Sequence, residues 1–251
     1  MPFDLYKVEE DLMIIKNIFP AKTIFILAIL YSITIIISTA GDSQQLSKIN
    51  FTRINQKKVR DYIKSRSIDR MDDFSSIHSS WKEELKEADF HTDKKTFYLN
   101  CSLSDVWEGY RHANLIKSWS SHYVRFGLLI AKHPDSVIYT NTVLYPDLDT
   151  GQVFFLNLKI LKGLVHVPVA FEIIKIDPVK QMLEFSYLDD NKSRGKQTLQ
   201  FFNNGEGKTR IVHTTLFRSN SRLRDAILYP YFHHKFIREF HKTMKLQVKK
   251  T

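Results

Sequence analysis

The sequence predicts an α+β fold, a curved antiparallel sheet of about seven strands wrapped around a long C-terminal helix, plus an N-terminal apolar helix. Three observations predict it. Between residues 123 and 217 apolar side chains recur at period two, in short runs separated by Pro, Gly, Asn and Asp turns with no helical run between them. From Ser221 to Lys250 the period becomes helical, with Phe232, Phe236, Phe240, Met244 and Val248 on one stripe and Lys235, Arg238, Lys242, Lys245 and Lys249 on the opposite one. Thr23 to Thr39 carries no charge at all.

The chain has 251 residues, a formal net charge of +10 and a pI of about 9.5. That size suits one domain with appendages or two small ones, and that charge favours anionic partners such as membrane headgroups or nucleic acid. Cys101 is the single cysteine, so an intramolecular disulfide and a cysteine-rich metal site are both excluded.

In chain order, residues 1–17 form a polar segment with acidic residues at Asp4, Glu9, Glu10 and Asp11. Residues 18–40 are expected to anchor the chain in a membrane, because about 20 apolar residues span a bilayer as a helix. Ser38-Thr39-Ala40 before Gly41 also fits a signal-peptide cleavage site, so export after cleavage stays open. Basic residues are denser after the apolar run than before it, which favours a single-pass protein with a cytoplasmic C-terminal part. Residues 41–93 are polar, and beyond Gly41 they hold neither glycine nor proline. They are expected to form a helical spacer, with helices over Asn55–Lys64 and Ser79–Ala88.

Thr96–Cys101 reads as a strand, and Ser102 or Ser104 then caps a helix carrying Val106, Trp107 and Tyr110. Asn114–Trp119 reads as a second short helix. Strands are expected at Tyr123–Ala131, Ser136–Leu144, Gln152–Leu161, Val165–Ile176, Met182–Leu188, Lys196–Phe202 and Arg210–Phe217. Parity puts Phe154, Leu156, Leu158 and Ile160 on one face, and likewise Leu183, Phe185 and Tyr187, and Leu199 and Phe201. Ser221 stands where a helix N-cap belongs, and Pro230 predicts a kink or break beside Tyr229.

The order of these motifs resembles the START-like, or Bet v 1-like, superfamily of helix-grip folds. The residues that carry the resemblance are Leu99-Asn-Cys-Ser-Leu-Ser-Asp-Val-Trp107, Leu115-Ile-Lys-Ser-Trp119, Ile174-Lys-Ile-Asp-Pro178, Leu183–Tyr187, Ser193–Thr198 and Gly207–Val212. The resemblance covers the last two thirds of the chain and makes residues 94–251 a ligand-binding domain. It implies an apolar cavity between sheet and C-terminal helix for a lipid, quinone or polyketide. It supplies no universal catalytic residue and no cofactor. The candidate lining is Trp119 from the end of the second short helix, Phe154, Leu156, Phe171, Phe185, Tyr187 and Phe201 from the strands, His213 as a polar handle, and Tyr229, Phe232 and Phe236 from the final helix. The same large residues would equally serve as plain core.

Other clusters yield less. His213 with a carboxylate or Tyr187 would make a general base, with Glu172, Asp190 and Arg194 in reach by strand order, which supports a cyclase- or hydrolase-like alternative. A hydrogen-bonded strand histidine is the plainer reading. His233, His234 and His241 lack the i, i+4 spacing of a ligand pair, and Asn204–Thr209 reads as a hairpin turn. Arg218, Arg222 and Arg224 beside a helix N-terminus suit an anionic headgroup, unless Asp225 pairs with them. The basic stripe of the last helix could lie on anionic lipid. Nucleic acid ranks last among the partners, and a binding or transfer module is preferred to an enzyme.

Overall fold

The computed structural model describes residues 48–71, 74–142, 146–189, 191 and 193–248, which form one unit. The expected membrane anchor or signal at 18–40 lies outside the described residues, as does Lys249 of the basic stripe. Among the described residues no helix is long and apolar enough to cross a membrane.

Period-two patterning becomes eight strands: β1 His91–Leu99, β2 Val124–Lys132, β3 Asp135–Tyr139, β4 Gln152–Ile160, β5 Val165–Asp177, β6 Met182–Tyr187, β7 Ser193–Asn203 and β8 Thr209–Ser219. They form one sheet in the order β1-β8-β7-β6-β5-β4-β2-β3, every pair antiparallel. Local connections between neighbouring strands account for most of that order, and β1 closes on β8 across the chain. The strand over 96–101 starts earlier than its apolar run because Asp93 and Lys95 pair in register with Thr215 and His213 of β8.

Three of the four helices start at a side-chain cap. Helix α1 is Lys57–Ser65. Helix α2, Leu103–Arg111, is capped by Ser102, whose Oγ accepts from Asp105 N at 3.1 Å. Helix α3, Leu115–Ser118, is capped by Asn114 Oδ1 accepting from Lys117 N at 2.9 Å. Ser221 Oγ accepts from Arg224 N at 3.3 Å, then a π-helical turn at Arg224–Leu228 leads into α4, Tyr229–Val248. The irregularity predicted at Pro230 is this π turn: Pro230 has no N–H to donate back, and the widened turn absorbs the gap.

The face that α4 turns to the sheet differs from the expected one. Its buried residues are His233, Ile237, His241, Met244 and Val248, while Phe232, Phe236 and Phe240 are half-buried on the flank. Up to His241 the buried stripe is shifted by one residue from the all-apolar one, and at Met244 and Val248 the two coincide. The reason is that the sheet offers hydrogen-bond partners to both histidines, which lowers the cost of burying them, although His233 Nδ1 makes no hydrogen bond.

The sheet is covered on both faces. The inner core holds Trp107, Tyr110, Phe154, Leu156, Phe185 and Phe201 among others, under α2 and α4. The outer core packs Ile54, Val59, Ile63, Ile68 and Phe74 onto Leu128, Ile130, Val153 and Phe155. β4 therefore alternates between two cores rather than between core and water. The expected spacer is instead part of the domain from Ile49 onward. α1 matches the helix expected at Asn55–Lys64, but Ser79–Ala88 is not helical. There Ser80 N donates to Tyr187 O at 2.6 Å and Trp81 N to Ser186 Oγ at 3.1 Å, so the segment docks at the end of β6. Gly127 marks how closely the layers meet: a Cβ there would stand 2.9 Å from Val59 and 2.8 Å from Phe155 O.

Candidate functional site

The expected lining does converge, but on itself. Trp119, at the end of α3, stacks on Phe240 at 4.4 Å between ring centroids. It also meets Phe154 at 5.9 Å, Phe185 at 6.2 Å and Phe171 at 6.4 Å. Phe171 continues to Tyr187 at 4.7 Å. These rings occupy the space between sheet and helix. Phe201 packs edge-on against Tyr110 at 4.9 Å and Trp107 at 5.6 Å, and Tyr110 joins this group to the Trp119 rings through Phe240 at 6.1 Å. Tyr229 stacks on Phe217 at 3.9 Å, and Phe236 meets Tyr123 at 6.4 Å near the rim. Phe232 contacts Tyr231, which is exposed, so it lies apart from the ring cluster. A groove of about 470 Å³ lies elsewhere, between α2 and α4, with Glu108, His112, Lys117 and Gln247 on its walls.

Beneath the rings runs a buried polar chain. Strand register builds it: Asp93, Thr215 and Gln197 lie in one row across β1, β8 and β7, and Lys95, His213 and Leu199 in the next. α4 lays His233 and His241 over these rows. His213 Nδ1 is 3.0 Å from His241 Nε2, and His241 Nδ1 is 2.8 Å from Tyr110 Oη. On its other side His213 Nε2 is 2.8 Å from Gln197 Oε1. Gln197 Nε2 donates to Tyr187 Oη at 3.4 Å, and Tyr187 is hydrogen-bonded to Tyr229. His233 Nε2 lies 3.3 Å from Gln197 Oε1 and 3.4 Å from Thr215 Oγ1, and its Nδ1 is 3.7 Å from Asp93.

With the Gln197 amide so oriented, one arrangement of protons satisfies the chain. Tyr110 donates to His241 Nδ1, His241 Nε2–H donates to His213 Nδ1, and His213 Nε2–H donates to Gln197 Oε1. Both imidazoles are then neutral. Burial agrees: it pulls His241 down to about 3, and pulls His213 well below the ordinary value, with His241 and His233 adding to it. Burial also lowers His233, against the opposing pull of Asp93. Asp93 is itself held down to about 2, chiefly by His233 and then by Lys95, whose Nζ is 2.8 Å away. Tyr187, Tyr110 and Tyr229 are raised by burial, so they stay protonated. The site is thus an array of neutral donors and acceptors inside an aromatic lining, suited to orienting a polar group more than to taking a proton.

Several expected partners are placed differently. His213 does point inward, but it touches a histidine and an amide rather than a carboxylate or a tyrosine. Glu172 faces the outer side and pairs with Lys132 at 2.5 Å, because its parity is opposite to that of Phe171. Arg194 is exposed, and Asp190 lies outside the described residues. Asp225 takes the backbone N–H of Ser219 at 2.9 Å, and Arg224 Nε donates to Ser219 Oγ, so the helix start is fixed through Ser219 and not by an Asp–Arg pair. Among the described residues no group of three or more His, Cys, Asp or Glu is arranged to hold a metal ion. Gln197, Thr215, His233 and His241 were not anticipated in this role. Their signal was present: Gln197 shares the buried parity of Leu199 and Phe201, and Thr215 that of Ile211 and His213.

The architecture is the helix-grip fold, eight antiparallel strands gripping a C-terminal helix. No known family profile matches the chain, nor does any curated protein. Solved structures of similar fold include norcoclaurine synthase from Thalictrum flavum, 12% identical, with a TM-score of 0.47 over 64% of this chain and 94% of that one. The protein TTHA0849 from Thermus thermophilus is 13% identical, with a TM-score of 0.44 over 64% and 98%. The Zhui aromatase/cyclase from Streptomyces sp. R1128 is 10% identical, with a TM-score of 0.46 over 64% and 94%. At these identities the likeness is one of fold alone.

Proposed function

We propose that this domain binds a small apolar molecule between the sheet and α4, with the polar end of that molecule directed to the chain of Tyr110, His241, His213 and Gln197. The chain is the observation that carries the reading. A packing core is normally filled with apolar groups, and a buried polar network costs stability unless every member is satisfied. Here neutral, fully buried histidines from two elements converge on one amide, under the helix that the sheet grips. The rings around Trp119 supply the apolar walls, and they must shift to admit a guest. The π turn at Arg224–Leu228 is the natural place for that shift, since π turns are weak points in a helix and recur at functional sites. A membrane tether at residues 18–40 would make the module a membrane-attached binder or carrier, with its domain on the cytoplasmic side.

Native mass spectrometry of the purified full chain, followed by organic extraction, tests this. The expected result is a co-purifying lipid, quinone or polyketide at about one molecule per chain. An empty protein that also fails to take up an apolar dye would contradict it. A cyclase- or hydrolase-like activity would use the same groups, and it would be recognised by conversion of the extracted compound on incubation.

A further inference from the structure

We infer that one end of the molecule docks on an anionic phospholipid bilayer, through the β4–β5 connection together with the first turns of the C-terminal helix. Large apolar side chains are concentrated there. In the connection, Leu164 is 85% exposed, Leu161 57% and Val165 39%. On the helix, Leu223, Ile227, Leu228 and Tyr231 are 46–63% exposed. Together these are seven of the eleven exposed large apolar side chains among the described residues, and they come from two short segments. Water gains nothing from such a concentration, so a partner surface is expected.

Tyr123 joins the two segments. Its carbonyl accepts from Lys159 N at 2.7 Å at the end of β4, and its ring meets Phe236 of α4 at 6.4 Å. Lys235 lies 6.0 Å over the same ring and donates to Tyr231 Oη at 2.7 Å. Leu228, Tyr231 and Lys235 follow at spacings of three and four, so the exposed stripe of the helix runs toward the connection.

Charge selects the bilayer over an apolar protein partner. No carboxylate occurs between Gly109 and Pro134 or between Gly151 and Phe171. Between Arg218 and Arg238 the one carboxylate is Asp225, and it is buried on Ser219. Around the apolar residues stand exposed Arg218 and Arg222, half-buried Lys159 and Lys235, and exposed His122 and His166. His122, Lys159 and His166 border a concavity of about 280 Å³ with Tyr123 and Gly163. Leucines ringed by cations match a membrane interface, where apolar groups enter the acyl boundary and basic groups stay at the phosphates. The inference stands apart from the ligand reading, because its exposed apolar and basic residues belong to neither the ring cluster around Trp119 nor the polar chain, and only Phe236 at the rim is shared.

The test uses the full chain with Cys101→Ser, carrying an environment-sensitive fluorophore on Leu164→Cys, Leu228→Cys or Val179→Cys. Val179 is 93% exposed but sits in the β5–β6 turn, at the other end of β5, and serves as control. The chain is reconstituted in phosphatidylcholine vesicles with and without phosphatidylserine. The expected result is a blue shift and quenching by lipid-borne quenchers at 164 and 228 but not at 179, stronger with phosphatidylserine and weakened by salt. Equal responses at 164 and 179, or none, would overturn the inference. So would a shift at 164 that is unaffected by removing phosphatidylserine. A shift that appears without vesicles and grows with protein concentration would overturn it too, and would mark contact between copies of the chain.

Discussion

At the scale of single residues, the buried histidines make pH the sensitive variable. An unfolded histidine takes up a proton near 6.5, whereas His241 in the fold does so only at about 3. Between those values the unfolded chain binds more protons, so stability is full above about 6.5 and falls as pH drops toward 3. The loss is up to about 1.4 kcal/mol per pH unit for each such histidine, and His213 shares the direction. Asp93 contributes with a different window: its carboxylate, held at about 2, supports the fold above its ordinary 3.8 and loses that support only below it. His112 runs the other way, since Asp147 and then Glu108 raise it, but it is exposed and solvent screens the gain. Urea midpoints measured across pH should therefore be flat above 7 and decline from about 6.5; a midpoint unchanged down to pH 5 would refute neutral buried histidines. Tyr110→Phe removes the donor to His241 Nδ1 and leaves that nitrogen unpaired in the core. The expected cost is about 1–3 kcal/mol, read from the same urea curves.

At the scale of elements, α2 and α4 meet so closely that small volumes matter. Gly109 of α2 lies under Val248 of α4, and a Cβ there would stand 2.6 Å from Val248 Cγ2. Gly109→Ala should destabilise by about 1–3 kcal/mol. Val248→Ala in the same chain should recover part of that, so that the double variant loses less than the sum of the singles. Additive losses would show that the two residues do not touch. Elements of this kind were largely legible in the sequence. Period two found the strands because their buried face is apolar, even though β2 and β4 are buried on both faces, and caps at Ser102 and Ser221 found two helix starts because those side chains satisfy orphan N–H groups, whereas the cap at Asn114 was read as part of its helix. The facing stripe of α4 was not legible, since hydropathy rates phenylalanine above histidine, and only the partners on β7 and β8 reverse that order. The site followed the same pattern: Trp119, Phe154, Phe171 and Phe185 were readable as apolar lining, whereas the role of Gln197 depends on which side chains the neighbouring strands place beside it.

At the scale of the whole molecule, two cores share one sheet, and the polar stretch before β1 is the cover of the second. Composition hid this, because isolated Ile and Val among polar residues read as a linker until the sheet shows an apolar outer face. Ile63 is fully buried there. Ile63→Ala should cost about 2–4 kcal/mol and lower inner-core probes such as Trp119 fluorescence in the same transition. A spacer would give no change. The central claim is that an apolar guest enters between sheet and α4 and engages the polar chain. Its most direct test is ¹⁵N NMR of the histidine rings and the Trp119 indole while 1,4-naphthoquinone, an apolar molecule with carbonyl oxygens, is added to the full chain. The expected result is that His213, His241 and Trp119 shift together and saturate at one equivalent. Unchanged resonances at those three, with shifts confined to His112 by the α2–α4 groove or to His122 at the rim, would contradict it.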